Sequence, residues 1–338
     1  MDAVTNDPIA GRTVLLTGAS GFIGSHLCRL LVDRGAEVHA LTSTVSSVYP
    51  PRLVDLRDRI VLHEGNLTDR SAMDVVARAV KPSHVFHLGA YTHVGKSWQR
   101  VDECVQANVQ GTLNLLQALA DVGYERFVYT GTSEIYGDID VPFQEDAIVN
   151  PVSPYSVSKY AGERYCRLFQ RSHGWPIVMV RPFNAYGPAQ TPDRVIPEII
   201  TRALRGQDIP MTQGRQTREF NYVEDIAEGF LAAGTTPGVE GELFNIGCGE
   251  EISMQDLARR LLSVMGDPVQ ALFGALPERP TEIWRMYCDS TRARERLGWA
   301  PRHSLEEGLA KTIAWYRTEA EEGDSLFVSA AQPFSSPR

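Results

Sequence analysis

The sequence predicts an α/β protein built on a doubly wound parallel sheet, with a smaller α/β region attached to it. Two features lead to this prediction. A glycine-rich turn lies between a short apolar run and an amphipathic helix near the N-terminus, and short apolar runs then alternate with helical patterns along the chain. The 338 residues suffice for a large core and one or two domains.

The first strand, turn and helix of this pattern lie within residues 13–41. Thr13–Thr17 is an apolar run typical of a buried strand. Gly18, Gly21 and Gly24 follow it with the spacing G-x-x-G-x-x-G. Glycines there let the backbone approach a pyrophosphate, and the N-terminus of the next helix favours negative charge. Together these features predict a dinucleotide-binding site.

The alternation of strands and helices continues downstream. Further strands are predicted at Ile60–Glu64, His84–Leu88, Arg126–Thr130 and Ile177–Val180. His84 and His87 are three positions apart in one strand, so their side chains point to opposite faces of the sheet. We therefore expect no metal site at this pair.

Composition and charge narrow the class of protein. The chain is 43% hydrophobic and 22% charged, as in ordinary globular proteins, and its net charge of −9 argues against a general nucleic-acid-binding role. The N-terminal residues lack the apolar core of a signal peptide, and no apolar run reaches the roughly 18 residues of a membrane span. The five cysteines are scattered and form no C-x-x-C pair, which predicts reduced thiols in a cytoplasmic protein.

A tyrosine and a lysine four positions apart form the first candidate catalytic pair. Tyr155 and Lys159, in SPYSVSKYAGERY, share one face of a predicted helix. We expect the ammonium to lower the tyrosine pKa from its ordinary value of about 10. Tyr155 can then take a proton from a hydroxyl while hydride leaves the same carbon. The pattern also occurs by chance on helix surfaces, but the upstream glycine turn favours the catalytic interpretation.

A second candidate group follows the strand Arg126–Thr130, in the stretch GTSEIYG. Thr132, Ser133 and Glu134 lie at the end of this strand, which is a usual place for a site in an α/β protein. Glu134 is either a solvated loop carboxylate or a catalytic acid and base. We include all three residues in the predicted catalytic group, with Tyr155 and Lys159.

With these motifs in place, the chain resembles the extended short-chain dehydrogenase/reductase family, which acts on nucleotide sugars and has a Rossmann-like fold. The similarity covers roughly residues 11–318. It rests on TGASGFIG, ANVQGT, TSEIYG, YSVSK, RPFNAYGP, REFNYVEDIAEG, FNIGCG and LGWAP.

The resemblance implies a division of the chain into two domains. Residues 1–180 form the dinucleotide-binding domain, to which residues 221–247 return with a strand near Leu243–Ile246. Residues 181–220 and 248–322 form a sugar-nucleotide-binding domain, and residues 323–338 are expected to be a loose tail.

The resemblance also implies a set of binding residues. The expected cofactor-binding residues are Gly18, Ser20, Gly21, Phe22, Ile23, Gly24, Thr42, Asn66, Leu67, Leu88, Ala90, Asn108, Tyr155 and Lys159. The expected substrate-binding residues are His93, Ser97, Asn184, Val195, Arg218 and Arg279. Asn184 and Arg218 are expected on the sugar-nucleotide pyrophosphate, for which the arginine fork is well suited.

The cofactor is predicted to be NAD, with NADP as the alternative. The region HALTSTVSS at the end of the second strand holds neither an acid for a ribose 2′-hydroxyl nor an arginine for a 2′-phosphate, and binding a 2′-phosphate without a nearby cation is the harder case. Asn66 stands where the family usually has aspartate near the adenine. Its amide oxygen can still accept a hydrogen bond.

Three reactions use this scaffold: 4,6-dehydration, 4-epimerisation and uronic acid decarboxylation. Dehydration needs a base for the C5 proton, and Glu134 resembles the dehydratase base. THVGKS and RPTEIWRMYCD, residues 92–97 and 279–289, also resemble dehydratases. We predict a 4,6-dehydratase with a GDP-mannose-like substrate, and a sugar-nucleotide 4-epimerase or UDP-glucuronic acid decarboxylase as the alternative. The family further implies a homodimer through helices near residues 98–121 and 155–172.

Overall fold

The structure, a computed structural model, describes residues 7–43, 49–278 and 282–322. Its strands are Thr13–Thr17 (β1), Glu37–Thr42 (β2), Val61–Glu64 (β3), His84–His87 (β4), Arg126–Thr130 (β5), Ile177–Pro182 (β6), Ala185–Tyr186 (β7), Ile209–Met211 (β8), Thr217–Arg218 (β9), Asn221–Tyr222 (β10), Leu243–Ile246 (β11), Ile252–Ser253 (β12), Ala271–Phe273 (β13) and Arg285–Met286 (β14). Its α-helices are Phe22–Asp33 (α1), Arg70–Val80 (α2), Val101–Val105 (α3), Gly111–Ala120 (α4), Pro154–His173 (α5), Val195–Leu204 (α6), Val223–Thr235 (α7), Met254–Met265 (α8), Thr291–Leu297 (α9) and Leu305–Glu321 (α10).

Seven parallel strands form the main sheet, in the order β11-β6-β5-β4-β1-β2-β3. From β1 the chain builds the sheet outward to β2 and β3, and from β4 it builds outward in the opposite direction. The point of reversal therefore lies between β1 and β4, which pair directly from Val14↔His84 to Thr17↔His87. Helices cover both faces of the sheet, so this is the predicted doubly wound, Rossmann-like fold. In such sheets ligands bind at the carboxyl ends of the strands, beside the point of reversal.

Neighbouring residues of β1 show why the sheet needs helices on both faces. Leu15 and Leu16 are both fully buried, but they belong to two separate hydrophobic cores. Leu16 packs with Leu27 of α1 and Phe230 of α7, whereas Leu15 packs with Leu115 of α4. Side chains alternate along a strand, so an unbroken apolar run predicts a strand that is covered on both sides.

A third core lies away from the main sheet. It joins Ile196 of α6, Leu261 of α8 and Tyr316 of α10, which are all almost fully buried. Short strands surround it, in the orders β12-β9-β14 and β13-β8. These elements come from the residues for which the sequence predicts the smaller α/β region. The exact domain boundaries stay a prediction.

The predicted strands are all present, and their ends differ from the prediction by at most two residues. The helix expected near residues 98–121 is interrupted: α3 starts only at Val101, and a π-helical turn at Gln106–Gln110 separates it from α4. Arg100, with φ −134°, is not helical, so the helix cannot extend back to residue 98. Cys28, Cys104, Cys166 and Cys288 are buried, Cys248 is half-buried, and all are free thiols.

In the part of the chain that the structure describes, no helix is both long and apolar enough to cross a membrane. The same residues contain no cluster of three or more His, Cys, Asp or Glu side chains that could hold a metal ion. Residues 323–338, which the sequence predicts as a tail, lie outside the described residues.

Candidate active site

The glycine turn after β1 is packed too tightly for side chains. Gly18 has φ +73°, and a Cβ atom there would lie 2.6 Å from the backbone nitrogen of Gly89. A Cβ atom on Gly24 would lie 2.1 Å from the carbonyl oxygen of Gly18. Both distances are too short for atoms that are not bonded to each other. Glycine at these two positions therefore lets the turn, α1 and the segment after β4 pack closely together.

The N-terminus of α1 is open to an anion. Gly21 occupies the N-cap position and makes no side-chain capping bond, and the first turn of the helix contains no acidic residue. Phe22 and Ile23, the first two helical residues, are half-buried, while Gly21 is exposed. Helix N-termini that lack their own cap bind phosphate groups through free N–H groups and the helix dipole. The turn therefore fits a dinucleotide pyrophosphate.

A hydrogen-bonded chain ties the ends of β1 and β4 together beneath this turn. The N–H of Gly89 donates to Thr17 Oγ1 (2.9 Å), which in turn donates to His87 Nδ1 (2.8 Å). His87 Nε2 donates to Thr112 Oγ1 (3.0 Å), whose hydroxyl donates to the carbonyl oxygen of Asn108 (2.8 Å). Burial lowers the pKa of His87 to about 3, so the ring is neutral and its tautomer is set by these partners.

The remaining predicted cofactor residues line the same edge of the sheet. Thr42 is buried at the end of β2, and Leu88 and Ala90 follow β4 directly and are half-buried. Asn66 uses its amide oxygen to accept from the N–H of Thr68 (3.0 Å). The carbonyl oxygen of Leu67 accepts from Asn114 (2.9 Å).

Asn108 holds the Tyr-Lys helix in place. Its side-chain nitrogen donates to Ser158 Oγ on α5 (2.9 Å) and to the carbonyl oxygen of Tyr91 (3.2 Å), and its oxygen accepts from the N–H of Tyr91 (2.8 Å). Gly162 permits the close approach, because a Cβ atom there would lie 2.8 Å from the Asn108 carbonyl oxygen. Asn108 thus positions α5; direct contact of its side chain with the cofactor stays a prediction.

Helix α5 places Tyr155 and Lys159 in its first two turns. Ser153 caps the helix through a capping box with Ser156, and Pro154 occupies the first helical position, which favours a helix start at this residue. Lys159 is 3% exposed, and its Nζ lies 4.8 Å from the centre of the Tyr129 ring. Burial lowers the pKa of Lys159 to about 8.

The pKa of Tyr155 corrects the expectation from sequence. We expected Lys159 to lower it, but burial raises the pKa of Tyr155 to about 12. A hydrogen bond with Thr132 and the charge of Arg194 oppose this rise, and the charge of Glu134 adds to it. Thr132 Oγ1 accepts from the N–H of Glu134 (3.3 Å), so its own hydroxyl proton is available to the tyrosine oxygen.

Glu134 belongs to a single 3₁₀ turn, Ser133–Ile135, that is capped by Thr132 and lies two residues beyond β5. The turn holds Glu134 close enough to Tyr155 for its charge to affect the phenol. Ser133 is 4% exposed and its hydroxyl lies 3.8 Å from the sulfur of Met286. The structure thus brings Thr132, Glu134 and Tyr155 together, whereas Ser133 packs against Met286 of β14.

A buried ion pair supports this turn from below. Arg181 donates to both carboxylate oxygens of Glu163 on α5 (2.9 and 2.6 Å), and also to the hydroxyl of Tyr136 (2.7 Å). Tyr136 follows the 3₁₀ turn and donates to Asn245 (2.7 Å). One guanidinium therefore links the helix of Tyr155 to the turn of Glu134.

The predicted substrate residues lie on two segments. His93 Nε2 is 3.6 Å from a carboxylate oxygen of Asp193, and the hydroxyl of Ser97 donates to the carbonyl oxygen of Val94 (2.6 Å). Val195 is the first residue of α6.

The sequence motifs do not predict a role for Arg194, the residue before α6. Its charge opposes the rise in the pKa of Tyr155 that burial causes, and burial and Arg194 together lower the pKa of His93. The sequence does contain one indication of a role. A basic residue directly before a helix interacts unfavourably with the helix dipole, so its presence there is explained only by another function.

Asn184 and Arg218 are held by protein groups. Asn184 donates to the carbonyl oxygen of Glu219 (3.4 Å). Arg218 donates to a carboxylate oxygen of Glu282 (2.6 Å) and to the carbonyl oxygens of Thr217 and Ile283 (each 2.7 Å). Their contact with a pyrophosphate stays a prediction, and Arg279 lies outside the described residues.

The fold and the glycine turn define a class, the dinucleotide-dependent enzymes, in which Tyr155, Lys159 and Glu134 are the candidate catalytic groups. The family model described as the NAD dependent epimerase/dehydratase family matches residues 14–247. The chain belongs to this family, so it is an NAD-dependent enzyme, and the prediction of NAD is confirmed.

Relatives from distant organisms match almost the whole chain. A dTDP-glucose 4,6-dehydratase of Streptomyces griseus is 34% identical over 331 residues, which cover 95% of this chain and 98% of that protein. The human dTDP-D-glucose 4,6-dehydratase is 31% identical over 334 residues, covering 96% of this chain and 95% of that protein.

Solved structures of two activities are similar to the fold. DesIV, a dTDP-glucose 4,6-dehydratase from Streptomyces venezuelae solved with NAD bound, is 31% identical with a TM-score of 0.82, covering 93% of this chain and 99% of DesIV. UDP-glucose 4-epimerase from Thermotoga maritima is 31% identical with a TM-score of 0.84, covering 90% of this chain and 98% of that protein.

Proposed function

We propose that the protein is a nucleotide-sugar 4,6-dehydratase that makes a 4-keto-6-deoxy sugar nucleotide. The observation that carries the proposal is Glu134, held by a 3₁₀ turn beside Tyr155 just beyond β5. Six relatives are named as dTDP-glucose 4,6-dehydratases and one as a UDP-glucose 4,6-dehydratase, so we propose a dTDP-hexose as substrate. The comparisons do not support the GDP-mannose-like substrate expected from the sequence.

The two ligands are proposed to bind on either side of Tyr155. The glycine turn and the α1 N-terminus hold NAD, with Thr42, Asn66 and Leu67 towards its adenosine end. Residues 181–220 and 248–322 form the sugar-nucleotide domain, with His93, Ser97, Asn184, Val195 and Arg218 towards the substrate. Bound in this way, NAD supplies a hydride acceptor and later a hydride donor.

Tyr155 acts on the C4 hydroxyl. Burial raises the pKa of Tyr155 to about 12, so Tyr155 is protonated at neutral pH and must first lose its own proton; only the phenolate can accept the proton of the C4 hydroxyl. The hydroxyl of Thr132 and the charge of Arg194 favour that phenolate. Lys159 supplies a further buried positive charge on the same helix face.

Glu134 acts on the neighbouring carbons. Once C4 is a ketone, the C5 hydrogen is acidic, and the carboxylate removes it as a proton. The same group then protonates the C6 hydroxyl, which leaves as water and gives a C5–C6 double bond. Hydride returns to C6 and a proton to C5. The net change is loss of one water. Ser133 is a poor proton donor, which leaves both transfers to Glu134.

Glu134→Gln tests this assignment. The variant should still oxidise C4, but should lose about a hundred- to ten-thousandfold in dehydration rate, because the amide cannot accept the C5 proton. It should accumulate NADH absorbance and a 4-ketohexose that keeps its C6 oxygen. In deuterated water the wild-type product should carry deuterium at C5.

Tyr155→Phe is the matched control, and should block NADH formation as well. Dehydration by Glu134→Gln at nearly the wild-type rate would show that Glu134 is only a loop carboxylate. Incubation with dTDP-glucose, GDP-mannose and UDP-glucose in separate reactions tests the substrate. A product inverted at C4 and unchanged at C6 would instead establish the second candidate, a sugar-nucleotide 4-epimerase, which the similarity to the Thermotoga maritima enzyme favours.

We also propose that the protein is a homodimer. Helices α3 and α5 lie side by side and expose apolar residues outward: Val101, Val105, Val157, Tyr165 and Leu168. Surfaces of this kind mark interfaces. Exposed Asp102 on α3 and exposed Arg164 and Arg171 on α5 give the charge complementarity for a second copy.

Light scattering should give twice the chain mass at micromolar concentration, and Leu168→Glu should give a monomer. A monomeric wild type would refute the proposal.

A further inference from the structure

The loop between β7 and α6 is held by side chains from distant parts of the chain. The carbonyl oxygen of Pro188 accepts from His26 Nε2 on α1 (3.0 Å), and that of Gln190 accepts from the Tyr316 hydroxyl on α10. Burial lowers the pKa of His26 to about 4, so its ring is neutral and Nε2 carries the donated hydrogen. Three consecutive carbonyls are used, since that of Ala189 also has a side-chain partner.

Ala189 has φ +62°, a conformation that alanine adopts only where its surroundings enforce it. Arg52 supplies such a constraint: its Nε donates to the Ala189 carbonyl oxygen (2.8 Å). The same guanidinium donates through NH1 to the carbonyl oxygen of Ser20 (3.3 Å). Ser20 lies inside the glycine turn, between Gly18 and Gly21. Arg52 therefore touches the dinucleotide turn and the loop at once.

The loop leads directly to residues beside the candidate active site. Asp193 lies 3.6 Å from His93, and the charge of Arg194 reaches Tyr155. A shift of the loop would move both residues. The contacts of Arg52 thus connect the place where a dinucleotide pyrophosphate fits with the place where the sugar side of the site is built.

We propose that Arg52 is a positioning residue that couples NAD binding to sugar-nucleotide binding through the loop 187–190. The proposal rests on the proposed function in one respect, that the second ligand is a nucleotide sugar. Coupling requires that each ligand strengthens the binding of the other by the same factor, and between linked sites this factor is about five- to 150-fold.

Hydrogen exchange on the NAD-bound protein tests the loop without any sugar nucleotide. In Arg52→Met, peptides covering residues 187–194 should exchange about tenfold faster, while peptides of β1 and α1 stay unchanged. Arg52→Lys should restore part of the protection, because its ammonium can reach one of the two carbonyls. Tyr316→Phe deletes one hydroxyl without packing volume and should also speed exchange in the loop. It keeps the test available if Arg52→Met does not fold.

NAD release tests the coupling itself. Among dTDP, UDP and GDP, the diphosphate that binds the wild type most tightly should slow NAD release by about tenfold, and in Arg52→Met by less than about twofold. Arg59→Met, which removes an exposed ion pair with Asp33 and no contact to the loop or the glycine turn that the structure describes, is the control and should behave like the wild type. Equal slowing in wild type and Arg52→Met, or unchanged exchange in the loop, would overturn the inference. Failure of all three diphosphates to bind the wild type would instead count against the proposed function, while the exchange result still decides the role of Arg52 in the loop.

Discussion

Removal of one charge from the buried pair Arg181–Glu163 should destabilise the whole protein and its active site. Both side chains are 3% exposed, and two hydrogen bonds of 2.9 and 2.6 Å join them. Burial alone would lower the pKa of Arg181, but Glu163 and Tyr136 together raise it, so the guanidinium stays charged. Glu163→Gln leaves that charge without a counter-ion and turns an amide N–H group towards a guanidinium N–H group.

The expected loss is about 3–5 kcal/mol in the free energy of unfolding, which is the usual cost of breaking a buried pair on one side. A protein has about 5–15 kcal/mol in total, so the variant should remain folded but be much more sensitive to denaturant. Because Arg181, which also donates to the hydroxyl of Tyr136, is no longer held by the Glu163 carboxylate, the turn that carries Glu134 should also move. We expect a fall in kcat that exceeds the change in KM.

Urea unfolding of the NAD-saturated protein, followed by tryptophan fluorescence and circular dichroism together, measures the loss. Glu125→Gln is the control: it breaks an exposed pair with Arg12 and should cost less than about 1 kcal/mol. A loss below about 1 kcal/mol for Glu163→Gln as well would refute the reasoning, since it would mean that the pair is effectively solvated.

Three further predictions follow from single groups. Gly24→Ala should abolish NAD retention, measured in acid extracts, because its Cβ would lie 2.1 Å from the carbonyl oxygen of Gly18; full NAD content would contradict this. Burial raises the pKa of Glu219 from 4.5 to about 7, so between these pH values the native state binds one proton that the unfolded state has lost. The free energy of unfolding should therefore fall by up to about 3 kcal/mol as pH rises from 4.5 through 7. Glu219→Gln should flatten that part of a pH series of urea denaturations. Since the pKa of Lys159 is about 8 and that of Tyr155 about 12, kcat/KM should rise with pH below 8 as phenolate forms and level off above it as Lys159 loses its charge; a rise that continues to pH 9.5, roughly 1.5 pH units above the lysine pKa, would argue against a charged Lys159 in the reaction.

The sequence by itself determined the sheet and the local motifs. The apolar run in Thr13–Thr17 predicts a strand that is covered on both faces, because side chains alternate between the two faces along a strand. The glycine spacing after this run predicts a turn that only glycine can form. The capped start of α5 puts Tyr155 and Lys159 one helical turn apart. These features depend on neighbours within a few residues, so they can be predicted from the order of residues alone.

Only the tertiary structure decided the electrostatics and the support of the site. Burial raises the pKa of Tyr155 against the expected effect of Lys159, and Arg194 reaches the phenol from a segment almost 40 residues downstream. Arg218 forms its ion pair with Glu282 in the same way. The two residues are brought together by the pairing of β9 with β14, which no local sequence pattern predicts. Desolvation and charge interactions depend on distances in space, and those distances are set by the packing of segments that are far apart in the chain.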